Sequence, residues 1–208
     1  MKNYISNSED SIKIFKNDFL EKFSKVHFAV PILIFIPAIL FFIYKAFAAD
    51  VNFIHFVLFF IIGLIVWTST EYIMHRFLFH YHPTSEFGKR IHFIFHGVHH
   101  DYPRDKLRLV LPPSVSIPLA TGFYFLFASF LTPSLLFAFF PGFLLGYLIY
   151  DMLHYAMHHF NFKSGIMKKV KQHHMLHHYQ DPNKGFGVST SLWDIVLRSG
   201  FIKQPKKI

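Results

Sequence analysis

The sequence predicts an all-α membrane protein: four transmembrane helices under a cytoplasmic helical cap that holds a histidine-rich dimetal site. Three observations predict it. The 208-residue chain is 52% hydrophobic and only 16% charged, whereas a soluble domain carries about 25% charged residues. Four apolar stretches meet the roughly 20 residues that a membrane helix needs. All but His27 and His55 of the 16 histidines fall between His75 and His178, on one side of the topology those stretches imply.

Residues 1–26 are polar and mixed in charge, without the basic start, short apolar core and small-residue cleavage site of a signal peptide. Within them, SIKIFKNDFLEKF sets Ile12, Phe15, Phe19 and Phe23 three and four residues apart. That spacing predicts an amphipathic helix lying on the cytoplasmic membrane surface. Residues 27–208 are expected to form a single membrane-embedded domain, since no glycine-rich linker, tandem repeat or low-complexity tract divides them.

The spans are expected at about residues 27–48, 53–80, 113–131 and 134–158. Pro31 and Pro37 lie in the first, where neighbouring helices can satisfy the freed carbonyls. The second would be about 40 Å long at about 1.5 Å per residue, so its histidine end must emerge from the hydrocarbon. Short links near Asp50 and at Thr132–Pro133 join the spans into two helical hairpins. Of 21 Lys and Arg, only Lys45 lies near a hairpin tip. The positive-inside rule then places both termini and the 81–112 loop in the cytoplasm, in a bacterial inner membrane or endoplasmic reticulum according to source. The net charge of +9 thereby has a membrane meaning, and nucleic acid is not implied.

Cysteine is absent, so any metal must take His, Asp or Glu. Four clusters stand out: HRFLFH (His75, His80), HGVHH (His96, His99, His100), HYAMHH (His154, His158, His159) and HHMLHH (His173, His174, His177, His178). A solvated or pH-sensing loop is the alternative for any single cluster. Two clusters at the same end of separate membrane helices favour metal ligation. At about 100° per residue, His154 and His158 face the same way, as do His96 with His99 and His174 with His177. His75 and His80, five apart, should diverge by about 140° on an α-helix. The expected division gives one ion His75, His96, His99, His174 and His177, and the other His80, His100, His154, His158 and His178. An all-nitrogen shell suits Zn, Cu, Fe or Ni alike. Glu71, four before His75, and Asp151, three before His154, are candidate outer carboxylates that orient ligand imidazoles. His92 and His173 are candidates for the same role, while His82 and His159 read as polar extras. His27 and His55 read as packing residues.

The clusters H-x-x-x-x-H, H-x-x-H-H, H-x-x-x-H and H-x-x-H-H with four spans resemble the fatty acid hydroxylase superfamily of membrane di-iron enzymes, which also holds sterol and carotenoid oxygenases. HGVHHDYPRDKLRLVLPP (His96–Pro113) and GFGVSTSLWD (Gly185–Asp194) look like its sphingolipid fatty acid 2-hydroxylase branch. The resemblance covers about residues 50–197. It implies two iron ions (zinc in some purified samples), O2 as oxidant and 2-hydroxylation of a fatty acyl chain, free or in a sphingolipid. Members of this branch often carry a cytochrome b5 domain, which residues 1–26 cannot hold. Electrons are therefore expected from a separate donor protein of cytochrome b5 or ferredoxin type. Lys168, Lys169 and Lys171 beside the fourth cluster suit an acidic carrier or anionic lipid.

Other function classes fit less well. A sterol or carotenoid hydroxylase or desaturase of the same superfamily is the exception, which the residues do not exclude. A metal transporter needs polar residues through the bilayer, but these histidines sit at one end of the spans. A structural zinc scaffold rarely needs ten imidazoles and no thiolate.

Overall fold

The computed structural model describes residues 5–201. The outer ends of the two expected segments, residues 1–4 and 202–208 with Lys2, Lys203, Lys206 and Lys207, lie outside the described residues. Among those described there is no strand.

In chain order the helices are α1 (Asp18–Phe23), α2 (Ala29–Ala48), α3 (Phe53–Ile73, continuing as a π-helical turn over Met74–Phe79), α4 (Glu86–His92, continuing as a π-helical turn over Phe93–Gly97), α5 (Val98–Asp101), α6 (Pro113–Ala128), α7 (Pro133–His159), α8 (Gly165–Tyr179) and α9 (Leu192–Val196). Three are long and apolar enough to cross a membrane: α2, the 27-residue run Phe53–Phe79, and α7. The span expected at 113–131 is shorter than predicted. Pro113 occupies the first turn of α6 and the helix ends at Ala128, giving 16 residues. That is about 24 Å, less than the roughly 30 Å hydrocarbon core.

α7 is the hub, packed against α3 and α2. Most of its residues from Leu136 to Tyr150 are buried, whereas α3 exposes Ile54, Leu58, Ile61 and Ile65. In lipid, packing rather than water exclusion drives helix association, so small residues mark the crossing. A Cβ on Gly63 would collide with the Phe139 carbonyl, and one on Gly142 with the Phe60 carbonyl. The α3 and α7 backbones therefore touch at these two glycines. Trp67 packs edge-on against Phe143 and Tyr147 one layer nearer the histidines. This crossing fixes the two helix ends that carry His75 and His154.

The amphipathic helix expected over residues 11–23 forms only from Asp18. Asn17 caps α1 through the Phe19 and Leu20 N–H groups. Upstream, the Glu21 carboxylate accepts the Ile14 and Phe15 N–H groups, each at 3.0 Å, leaving that backbone no helical pairing. Arg108 donates to Glu21 and to the Ile12 carbonyl, both at 2.6 Å. The segment is thus fastened by a buried ion pair to the Arg108–Pro113 stretch.

Candidate metal centre

α3 and α7 deliver two pairs of histidines side by side, α4–α5 delivers three more, and α8 a final three. The first surprise is at the end of α3. The His80 N–H donates to the His75 carbonyl at 3.1 Å, five residues back. This wider turn brings residues five apart onto one face. His75 and His80 therefore converge, with Nε2 atoms 3.2 Å apart, where an α-helix would have splayed them.

Ten imidazoles fall into two quintets, and within each the candidate ligand nitrogens lie within 4.8 Å of one another. The first is His75, His80, His96, His100 and His177. The second is His99, His154, His158, His174 and His178. All ten sequence candidates come together, but not in the expected division. His80 and His100 join His75, while His99 and His174 join His154. Of each H-x-x-H-H motif, the residues four apart share a quintet and the one between them crosses to the other. Residues four apart on an α-helix differ by about 40°, those three apart by about 60° on the opposite side. With two centres flanking the helix, that difference is enough to separate them.

The residues fit a bound cation. In the first quintet the Nε2 atoms of His75, His80 and His96 form a triangle of 3.2, 3.2 and 3.0 Å. Each nitrogen carries either a proton or a lone pair, so three mutual contacts can never all be hydrogen bonds. His75 Nδ1 lies 2.5 Å from the Phe186 carbonyl and His177 Nδ1 2.8 Å from that of Lys184. Each must carry its proton there, which leaves the Nε2 lone pair facing inward. The second quintet has matching Nε2 contacts: His154–His99 and His158–His174 at 2.9 Å, and His99–His178 at 3.0 Å. Neighbouring ligands at right angles, each about 2.1 Å from an ion, are about 3.0 Å apart. Burial, reinforced by neighbouring imidazoles, holds His96, His99, His100, His174 and His178 well below the usual histidine range. Burial likewise pulls His177 down to about 4. They are neutral at pH 7, the form that ligates.

The outer candidates take different places from those expected. Glu71 touches no imidazole. It accepts the Val188 and Ser189 N–H groups at 2.7 and 2.8 Å and the Ser189 hydroxyl at 2.5 Å. Asp151 accepts the Tyr147 hydroxyl at 3.0 Å. His173 pairs with Asp194 at 2.9 Å. His92 lies beside His82, ring centroids 6.3 Å apart, and His159 beside Tyr155. None of these joins a quintet. His27 and His55, expected as packing residues, are both exposed; His55 sits at the far end of α3, bonded to Asn52. Lys171 donates to the Phe160 carbonyl at 2.8 Å, just beyond α7, leaving Lys168 and Lys169 exposed on α8. Sequence reasoning missed Asp194 as a site residue. The signal was there in GFGVSTSLWD: two glycines that let backbone approach an acid seven residues on.

A cavity of about 450 Å³ ends at His96 of the first quintet and at His99 and His154 of the second. Its walls include Phe79, Phe95, Leu109 and Tyr150, with Phe19 and Phe23 at its N-terminal side. A second, almost wholly apolar cavity of about 370 Å³ shares Phe79, Ile91, Phe95, His96, Leu111 and Val115 with it. A mostly apolar cavity lined by members of both imidazole clusters suits a chain-like substrate.

Comparison with known proteins agrees with this architecture. The model of the fatty acid hydroxylase family matches residues 60–199. The chain is 36% identical over 191 residues to the dihydroceramide fatty acyl 2-hydroxylase FAH1 of Arabidopsis thaliana, covering 91% of this chain and 80% of that one. It is 38% identical over 191 residues to the ceramide very long chain fatty acid hydroxylase scs7 of Schizosaccharomyces pombe, covering 90% of this chain and 54% of that one. A solved structure, full-length scs7p with only its hydroxylase domain visible, superposes with a TM-score of 0.85 at 36% identity over 92% of this chain and 73% of that one. Family match, relatives and superposed structure all coincide on the segments that carry the two quintets, and the chain belongs to the fatty acid hydroxylase family.

Proposed function

We propose that this hydroxylase adds a hydroxyl group at C2 of a fatty acyl chain, free or in a sphingolipid, at a di-iron centre. The observation that carries the proposal is the pair of imidazole quintets at the end of an apolar cavity. The Arabidopsis relative, named a dihydroceramide fatty acyl 2-hydroxylase, supports the position of the hydroxyl, and the name of scs7 supports a ceramide acyl chain as substrate. His75, His80, His96, His100 and His177 would hold one ion, and His99, His154, His158, His174 and His178 the other. When bound, iron would supply the activation of O2; zinc could replace it in a purified sample.

The chain's own residues do the rest. The apolar walls at Phe79, Phe95 and Leu109 would hold the acyl chain and exclude water beside the histidines. Neutral, inward-facing Nε2 atoms keep the donor set free of competing protons. One oxygen atom of O2 enters the C2–H bond and the other leaves as water; the two electrons come one at a time from a separate donor of cytochrome b5 or ferredoxin type, and the two protons from water. Lys168 and Lys169, exposed on α8 ahead of its histidines, suit an acidic donor. Docking there predicts a reduction rate that falls with salt. We place the chain in the membrane with α2, α3 and α7 spanning, α6 completing the second hairpin, and the histidine-bearing helices as a cytoplasmic cap, by the positive-inside rule. The test is expression in a host without 2-hydroxy lipids, followed by lipid mass spectrometry. Appearance of 2-hydroxy acyl species is expected; a product modified on a sterol or carotenoid skeleton, with none on acyl C2, refutes the reading.

A further inference from the structure

Behind the first quintet lies the segment Lys184–Ser189, and every N–H group from 185 to 189 has an assigned partner. Gly185 donates to the Ser199 carbonyl at 2.9 Å. Phe186 and Gly187 donate to the two carboxylate oxygens of Asp194 at 3.0 and 2.8 Å. Val188 and Ser189 donate to Glu71. The carbonyls left over face the imidazoles: Lys184 accepts from His177 and Phe186 from His75. Both glycines are needed. Gly185 has a φ of +70°, and a Cβ on Gly187 would collide with the Thr190 carbonyl and crowd the Asp194 carboxylate.

Asp194 is the hub of this frame. It is buried, and it also accepts from the Ser199 hydroxyl at 2.7 Å and pairs with His173 at 2.9 Å. Ser199 in turn contacts the Tyr72 hydroxyl at 2.6 Å, and Trp193 Nε1 donates to Thr68 at 3.0 Å. The stretch around α9 is thereby stapled to α3, the helix that carries His75. Nothing equivalent backs the second quintet among the described residues: Nδ1 of His99, His154, His174 and His178 is buried without a hydrogen-bond partner.

We propose that Asp194 is a positioning residue for one ion only. By holding the Phe186 and Gly187 N–H groups it aims the Phe186 and Lys184 carbonyls at His75 and His177, and so sets the affinity of the first quintet without touching it. The proposal rests on the two-ion reading, and the experiment separates the two. Metal content, and the affinity of each ion by titration with a competing chelator, are measured in the purified full chain and in Asp194→Asn, which turns an acceptor oxygen into a donor facing a donor. Wild-type protein is expected to hold two ions. Asp194→Asn is expected to bind the first about 10–100-fold more weakly, the usual loss for an outer partner, while the second stays. The double variant Asp194→Asn/His158→Ala should lose the second ion and keep the first with the same weakening of about 10–100-fold in affinity. Ser199→Ala, which removes one donor to Asp194 and keeps its charge, is the milder variant should Asp194→Asn fail to fold. It should weaken the same ion by a smaller factor. Wild-type protein that never holds two ions overturns the two-ion reading. Two ions in wild type with equal loss of both, or loss of neither, in the folded Asp194 or Ser199 variant overturns the role of Asp194.

Discussion

The two quintets are fed alike and supported differently. Each draws a pair from the end of a long apolar helix, a pair four apart from one H-x-x-H-H motif, and a single residue from the other motif. His99 and His177 are the crossed residues, so α5 and α8 each reach both centres. Behind the imidazoles the likeness ends. His75 and His177 of the first quintet are aimed by backbone carbonyls held in a carboxylate-braced segment. At His99, His154, His174 and His178 of the second, orientation comes from packing between α7, α5 and α8, with Nδ1 left unpaired. A ring fixed by a hydrogen bond has its tautomer chosen as well as its direction. One fixed by packing has only its direction, so the second quintet depends more on the integrity of the helices around it.

The largest expected effect comes from splitting the adjacent pair His99 and His100. His99→Ala should empty the second quintet and leave the first, and His100→Ala the reverse. Each should abolish hydroxylation, because both centres face the same cavity end. Metal analysis that finds the same ion missing in both variants would sink the division. Next comes Glu71→Gln, which weakens the hold on Val188 and Ser189. A 10–100-fold loss of affinity is expected at the first quintet alone, read by titration with a competing chelator; equal loss at the second would erase the contrast.

Acid should act on both quintets, since both are buried. In metal-free protein the folded state keeps these imidazoles neutral, with His177 at about 4, whereas the unfolded chain takes up protons below about 6.5. Their folded values are depressed, so the stability they contribute is present above about 6.5 and is lost as pH falls toward 4. His177 alone accounts for about 2 kcal/mol at pH 5. A chelator-treated sample that melts at the same temperature at pH 7.5 and pH 5 contradicts this. The smallest effect is expected at His55, at the opposite end of α3. His55→Ala should leave metal content and turnover within about 2-fold of wild type, as surface changes remote from a site usually do.

Much was legible in the sequence because it rests on composition and local spacing. The apolar lengths of α2, α3 and α7, the absence of thiolates, and the ten histidines at one end of the spans all follow from residue order. So does the pairing of His154 with His158, four apart on a regular helix. The sequence could not announce the π-helical turn after Ile73, since nothing in MHRFLF distinguishes a five-residue bond from a four-residue one. Without it, His75 and His80 were placed in different centres. Nor could it foretell the fate of Glu71. Its position one turn before His75 suggested direct contact, but its oxygens meet the N–H groups of Val188 and Ser189, more than a hundred residues later.

The sequence by itself determined what kind of molecule this is: a membrane chain with an all-nitrogen donor set on one side. Hydrophobic length and ligand chemistry are properties of residues, and they survive in any fold that buries the one and clusters the other. Only the tertiary structure decided which imidazoles share a centre and which of them are braced. That depends on the α3–α7 backbone contact at Gly63 and Gly142, and on the carboxylates that draw the 184–189 segment against α3. An imidazole ring reaches only a few ångströms from its helix, so a shift of one residue in pairing moves its nitrogen from one quintet to the other.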